Sequence, residues 1–220
     1  MVYDQEESLE YVKVESFIVK AAEYTDIVLP ASAVDRPVPN AFIINDSELA
    51  YGMFMIDERS LKWLDFNLAR LPDRLTRQAV MLQTLLMMQH GHCSIYKIQY
   101  LLEQLNDETS TITLDLLYKI MYKAQSNWLP LDLAAQVNKM VADFFIIKAF
   151  NSDDKKMQQF CILKSIDFIF EQEDLDMLKS WYLEHGGKVC VMEKVLEMSI
   201  STEMSYTIFK KIYKSAAMTD

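Results

Sequence analysis

The chain has 220 residues, of which 51% are apolar and 25% charged, so it is long enough for one or two domains with a buried core. Its formal net charge of −10, with Lys and Arg scattered along the chain, argues against nucleic acid as a partner, because phosphate binding needs clustered cations. Only 4 Gly and 5 Pro argue against a loop-rich or all-β protein.

The N-terminus, MVYDQEESLEY, is acidic and lacks the basic, then apolar pattern of a signal peptide. Residues 9–20 alternate with a period near two through Val12, Val14, Phe17 and Val19, which predicts a strand. Tyr24–Leu29 reads as a second strand ended by Pro30, and the proline-rich stretch to Pro39 as a loop. Ala41–Ile44 and Tyr51–Ile56 read as two more strands around the turn chemistry of Asn45-Asp46-Ser47. A closed sandwich normally takes about seven strands. Residues 1–56 therefore either pack directly on the helices or end a larger β domain, and the second reading, a partial, antiparallel β-sandwich, is preferred.

From Asp57 the apolar period changes to that of a helix. Asp57 is placed to cap a first helix carrying Leu61, Leu64 and Leu68, which Pro72 ends. Asp73 caps a second to Gln89, with Leu75, Val80, Leu82, Leu85 and Leu86 expected inward and Gly91 just past its end. Further helices are predicted from Ser94, from Asp107–Ser110, from Leu129–Leu131 and over Asp153–Phe170, Glu173–His185, Lys188–Met198 and Ser201–Ser215. The expected fold is mainly α: about nine helices over 57–220, stacked as a HEAT-like solenoid with a repeat of roughly 35 to 40 residues. No apolar run reaches membrane-spanning length, so no membrane partner is expected.

Chemistry-bearing motifs are few. His90-Gly91-His92-Cys93 is the one cluster of metal-type ligands, but zinc needs three or four converging ligands. Histidine also favours a helix C-terminus, where the dipole welcomes a cation, and this is the reading preferred for His90, His92 and His185. Glu171, Glu173, Asp174 and Asp176 form an acidic turn without the Gly of a calcium loop. The sequence holds no HExxH, CxxC, GxSxG or Gly-rich phosphate loop. Its three cysteines are far apart, which suits a reducing compartment such as the cytoplasm and not a disulfide framework. Neither a metal nor a cofactor is expected in this chain. Trp63, Trp128 and Trp181 are read as core, and the 14 Met as helix formers and core fillers.

The order Asn45, Tyr51-Gly52, Phe54, Asp57-Glu58-Arg59-Ser60-Leu61, then Leu71-Pro72-Asp73-Arg74-Leu75-Thr76-Arg77, resembles the junction before the C-terminal helices in zinc aminopeptidases of the aminopeptidase N family. The similarity is clearest over residues 40–125. This chain departs from it at Met53, Phe54 and Met55, where many relatives carry a basic residue. The resemblance implies that 1–56 ends the family's small β-sandwich and that 57–220 is its helical C-terminal domain. It places zinc and the catalytic residues in a separate catalytic domain, so none are assigned here. It further implies that the helices close over that domain to form a peptide-access chamber. Peptide substrates and the parent's own catalytic domain would be the partners, with Tyr122 and Lys123 as chamber-facing contacts. Asn45, Tyr51, Asp57, Ser60 and Arg77 are then structural junction residues. The truncated sandwich edge leads to the expectation that the isolated chain forms a homodimer. Two other readings stand beside this one. One is a stand-alone HEAT-like interaction scaffold without enzymatic activity. The other is a metal-binding regulator using His90, His92 and Cys93.

Overall fold

The computed structural model describes residues 2–5, 8–11, 37–46, 50, 52–183, 188–191, 194–199 and 202–216. The protein is mainly helical, with eight α-helices among the described residues where the sequence suggested about nine. It divides into two compact units, Met1–Gln104 and Leu105–Asp220.

In the first unit, β1 (Val2–Gln5) and β2 (Ser8–Tyr11) form an antiparallel hairpin. Val2 is fully buried and makes a single bridge to Ala41. The predicted strand over 9–20 is described only at its start, within β2, and the one at Tyr24–Leu29 lies outside the described residues. The strands expected at Ala41–Ile44 and Tyr51–Ile56 do not form ladders: Ala41 holds one bridge, and Met53–Asp57 is irregular. The reason lies in where their backbone groups go. Phe42 N–H donates to Ser60 Oγ (2.8 Å), and the Ile44 carbonyl accepts from Gln83 Nε2 (2.6 Å). Ile56 N–H points at Met87 Sδ (3.3 Å). Helix side chains satisfy these groups instead of a neighbouring strand. The same bonds bind this stretch to the first helices, within the compact unit that runs to Gln104.

The helices of this unit start where short polar side chains meet a helical apolar stripe. α1 (Glu58–Asn67) is capped by Asp57, which accepts from Ser60 N–H (3.0 Å), and it buries Leu61 and Leu64. A 3-10 turn, Leu68–Arg70, buries Leu68 before Pro72 stops the run. α2 (Arg74–Gln89) is capped by Asp73, which accepts from Thr76 N–H (2.9 Å). Its buried stripe starts at Thr76 and continues through Val80, Thr84 and Met87–Met88. Leu75, expected inward, falls one position off that stripe and is exposed. Gly91 has φ 74°, the left-handed conformation that a side chain resists, just beyond His90 at the end of α2. α3 (Lys97–Gln104) buries Ile98, Leu101 and Leu102. It packs on α1, where Lys97 pairs with Asp65.

The second unit holds α4 (Thr111–Asn127), α5 (Leu131–Asn151), α6 (Lys155–Ile166), α7 (Gln172–Leu183) and α8 (Thr202–Ala216). Ser110 and Asp154 cap α4 and α6, while Pro130 stands before α5, where a missing N–H costs nothing. The core gathers Leu114, Leu117 and Met121 of α4, Phe145 of α5, Ile162 of α6 and Trp181 of α7, each at most 2% exposed. α8 contributes Met204 and Ile208. The helix expected over Lys188–Met198 is instead an antiparallel hairpin, β3 (Lys188–Val191) with β4 (Lys194–Ser199). Val189, Val191 and Val195 explain it, since β-branched side chains lose rotamer freedom in a helix and suit a pleated strand. Among the described residues no helix is long and apolar enough to cross a membrane.

Candidate functional site

The junction residues hold backbone in place. Asn45 has φ 53°, and its side chain closes the turn twice: Nδ2 donates to the Ala50 carbonyl (3.0 Å) and Oδ1 accepts from Ala50 N–H (2.9 Å). A short polar side chain that bonds locally is what makes this conformation tolerable without Gly. Ser60 Oγ donates to Asp57 and accepts from Phe42 N–H, linking the α1 cap to the preceding segment. Arg77 Nη1 donates to the Leu71 carbonyl (2.7 Å) across the Pro72 break. Tyr51 lies outside the described residues. Burial works to raise the Asp57 carboxyl, but the bonds from Ser60 and the first-turn amide outweigh it and hold its pKa below the usual value. The stability this supplies is present above the ordinary carboxylate pKa of about 3.9 and is lost as pH falls through the lower folded value. Asp57→Ala is expected to cost about 1 kcal/mol at pH 7 by urea unfolding, while Asp57→Asn, which keeps an acceptor, should cost only a fraction of that.

The two proposed peptide contacts, Tyr122 and Lys123, sit exposed on α4. Tyr122 stacks at a tilt on Tyr118, with ring centroids 5.8 Å apart. Around Tyr118 the structure assembles a cluster that the sequence did not reveal. Tyr118 Oη donates to Asp167 Oδ2 (2.7 Å), and Lys164 Nζ lies 3.9 Å from the Tyr118 ring centroid. Lys164 also pairs with Asp115 (2.9 Å), which takes Lys119 as well (2.7 Å). Lys211 of α8 donates to the Asp167 carbonyl (2.8 Å) and lies over the Phe170 ring. One turn after α6 thus holds α4 and α8 together. Lys211 is half-buried by this role. Burial, then the bond to Asp167, push the Tyr118 phenol above its usual range. Burial would raise Asp115, but its two lysines outweigh it and lower its pKa. Tyr118→Phe is expected to cost about 1.5 kcal/mol, the worth of a hydrogen bond to a charged acceptor. It should also remove one late-titrating phenol from an ultraviolet pH titration.

Lys148 of α5 is a buried charged side chain. It is 9% exposed, and its Nζ donates to the carbonyls of Asn106 (2.6 Å) and Leu105 (3.3 Å). Burial lowers its pKa, against the opposing pull of Cys161, Glu108 and Asp107. Beside it lies a groove of about 410 Å3 lined by residues that include Asp107, Glu108, Asn151, Asp153, Asp154 and Met157. Glu108 Oε1 accepts from Ser110 N–H (2.9 Å), and Asp154 Oδ1 accepts from Lys156 N–H (2.9 Å), so both carboxylates serve helix starts. A signal for Lys148 was present in the sequence: it lies four residues after Phe144 and seven after Val141, on the same buried stripe.

His90 and His92 are exposed, and their N–H groups close the end of α2 on the Leu86 (3.0 Å) and Met87 (2.8 Å) carbonyls. Cys93 is half-buried, with Sγ 3.6 Å from the Thr84 carbonyl, and burial raises its thiol pKa. The Cys161 thiol is fully buried and pushed up to about 12 by burial. His185 lies outside the described residues. Among the described residues no group of three or more His, Cys, Asp or Glu stands close enough to hold a metal ion. In the acidic turn Asp176 pairs with Lys179 (3.0 Å) and Asp174 faces Lys139 (3.7 Å). Compared with known protein families, curated proteins and solved structures, the chain gives no match.

Proposed function

We propose that the chain is the non-catalytic C-terminal region of a zinc aminopeptidase of the aminopeptidase N family. Its helices stack as a HEAT-like solenoid and close over the catalytic cleft of the parent, forming the chamber through which peptides reach the zinc. The zinc and the catalytic residues belong to the parent's catalytic domain. The observation that carries this reading is the junction over Asn45–Arg77. Four of the residues by which it resembles the family have a structural task there: Asn45 closes a turn, Asp57 and Ser60 start α1, and Arg77 holds the break before α2. Tyr122 and Lys123 are the side chains offered to peptide. The test is to read the coding frame upstream of Met1 and to assay the purified chain on fluorogenic aminoacyl substrates with zinc. An upstream HExxH with a second glutamate downstream, together with no release of amino acids by this chain alone, is the expected result. A stop codon directly upstream, or activity that survives active-site controls, overturns it.

The stand-alone interaction scaffold is the second reading. Leu131 at 93% and Ile112 at 61% exposure are apolar side chains it would offer to a partner. Capture of one specific partner by the chain, with the frame closed upstream, would select it.

A further inference from the structure

We draw no further inference here: the strongest candidate, the acidic groove beside Lys148 at the end of α5, carries nothing, because Glu108 already accepts from Ser110 N–H before α4 and Asp154 caps α6, Lys148 is already held by two backbone carbonyls, and what remains is a cluster of acidic residues with no second sign of a ligand.

Discussion

Phe145→Ala is expected to lower the unfolding free energy by about 3–5 kcal/mol, the usual cost of deleting a buried aromatic ring. Phe145 is fully buried in α5, in T-shaped contact with Phe144 at 5.3 Å between centroids. The loss has two parts: the ring's transfer from water is forfeited, and a cavity remains that the surrounding helices fill only in part. Against a typical domain stability of about 5–15 kcal/mol, this is enough to populate unfolded chains at 37 °C. Ile147, two residues on, is 53% exposed and serves as the control on the same helix. Ile147→Ala should stay within about 0.5 kcal/mol. Urea denaturation of both variants makes the comparison. If Phe145→Ala lost no more than Ile147→Ala, the buried face of α5 would be wrongly assigned.

What the sequence made legible was local. The caps Asp57 and Asp73 could be read because a cap, its N–H partner and the apolar stripe lie within one turn. The helices over 58–183 follow the 3.6-residue period for the same reason. Two misreadings have physical causes. The stretch Ala41–Ile56 looked like strands because it is apolar and extended. Its hydrogen bonds go to Ser60, Gln83 and Met87, the last two more than 30 positions from their partners. The sequence of the β3–β4 hairpin reads as a helix because a short apolar run fits either period, although its valines favour the strand. The Tyr118–Asp167 bond spans 49 positions, and nothing in either local pattern announces the other. Lys148 is different, because a signal for it exists in the pattern of α5, on the stripe of Val141 and Phe144. A lysine on a buried stripe asks where its charge is satisfied.

Lys148→Glu is expected to cost about 3–5 kcal/mol at pH 7, the scale of an uncompensated buried charge. The ammonium of Lys148 donates to two carbonyls; a carboxylate in its place would face the same oxygens as an acceptor, with Asp107 and Glu108 lining the adjoining groove. Its pKa would be raised above the unfolded value of about 4.3, so the penalty holds above the folded pKa. As pH falls through that value the side chain becomes a neutral acid that can donate one hydrogen bond, and part of the stability should return. Lys148→Met keeps an apolar stem and should cost less, about 1–2 kcal/mol, because the Leu105 carbonyl still accepts from Glu108 N–H (3.1 Å). The wild-type lysine has the opposite pH signature. Burial depresses its folded pKa below 10.5, so the folded state releases its proton before the unfolded state does. From the folded pKa up to 10.5 the wild type should therefore gain stability relative to Lys148→Met, and below that range the difference should be flat. Urea denaturation of the three proteins from pH 5 to 10.5 separates these outcomes. If the Glu variant matched the Met variant at every pH, the lysine would lie in solvent and its two carbonyl contacts would carry no weight.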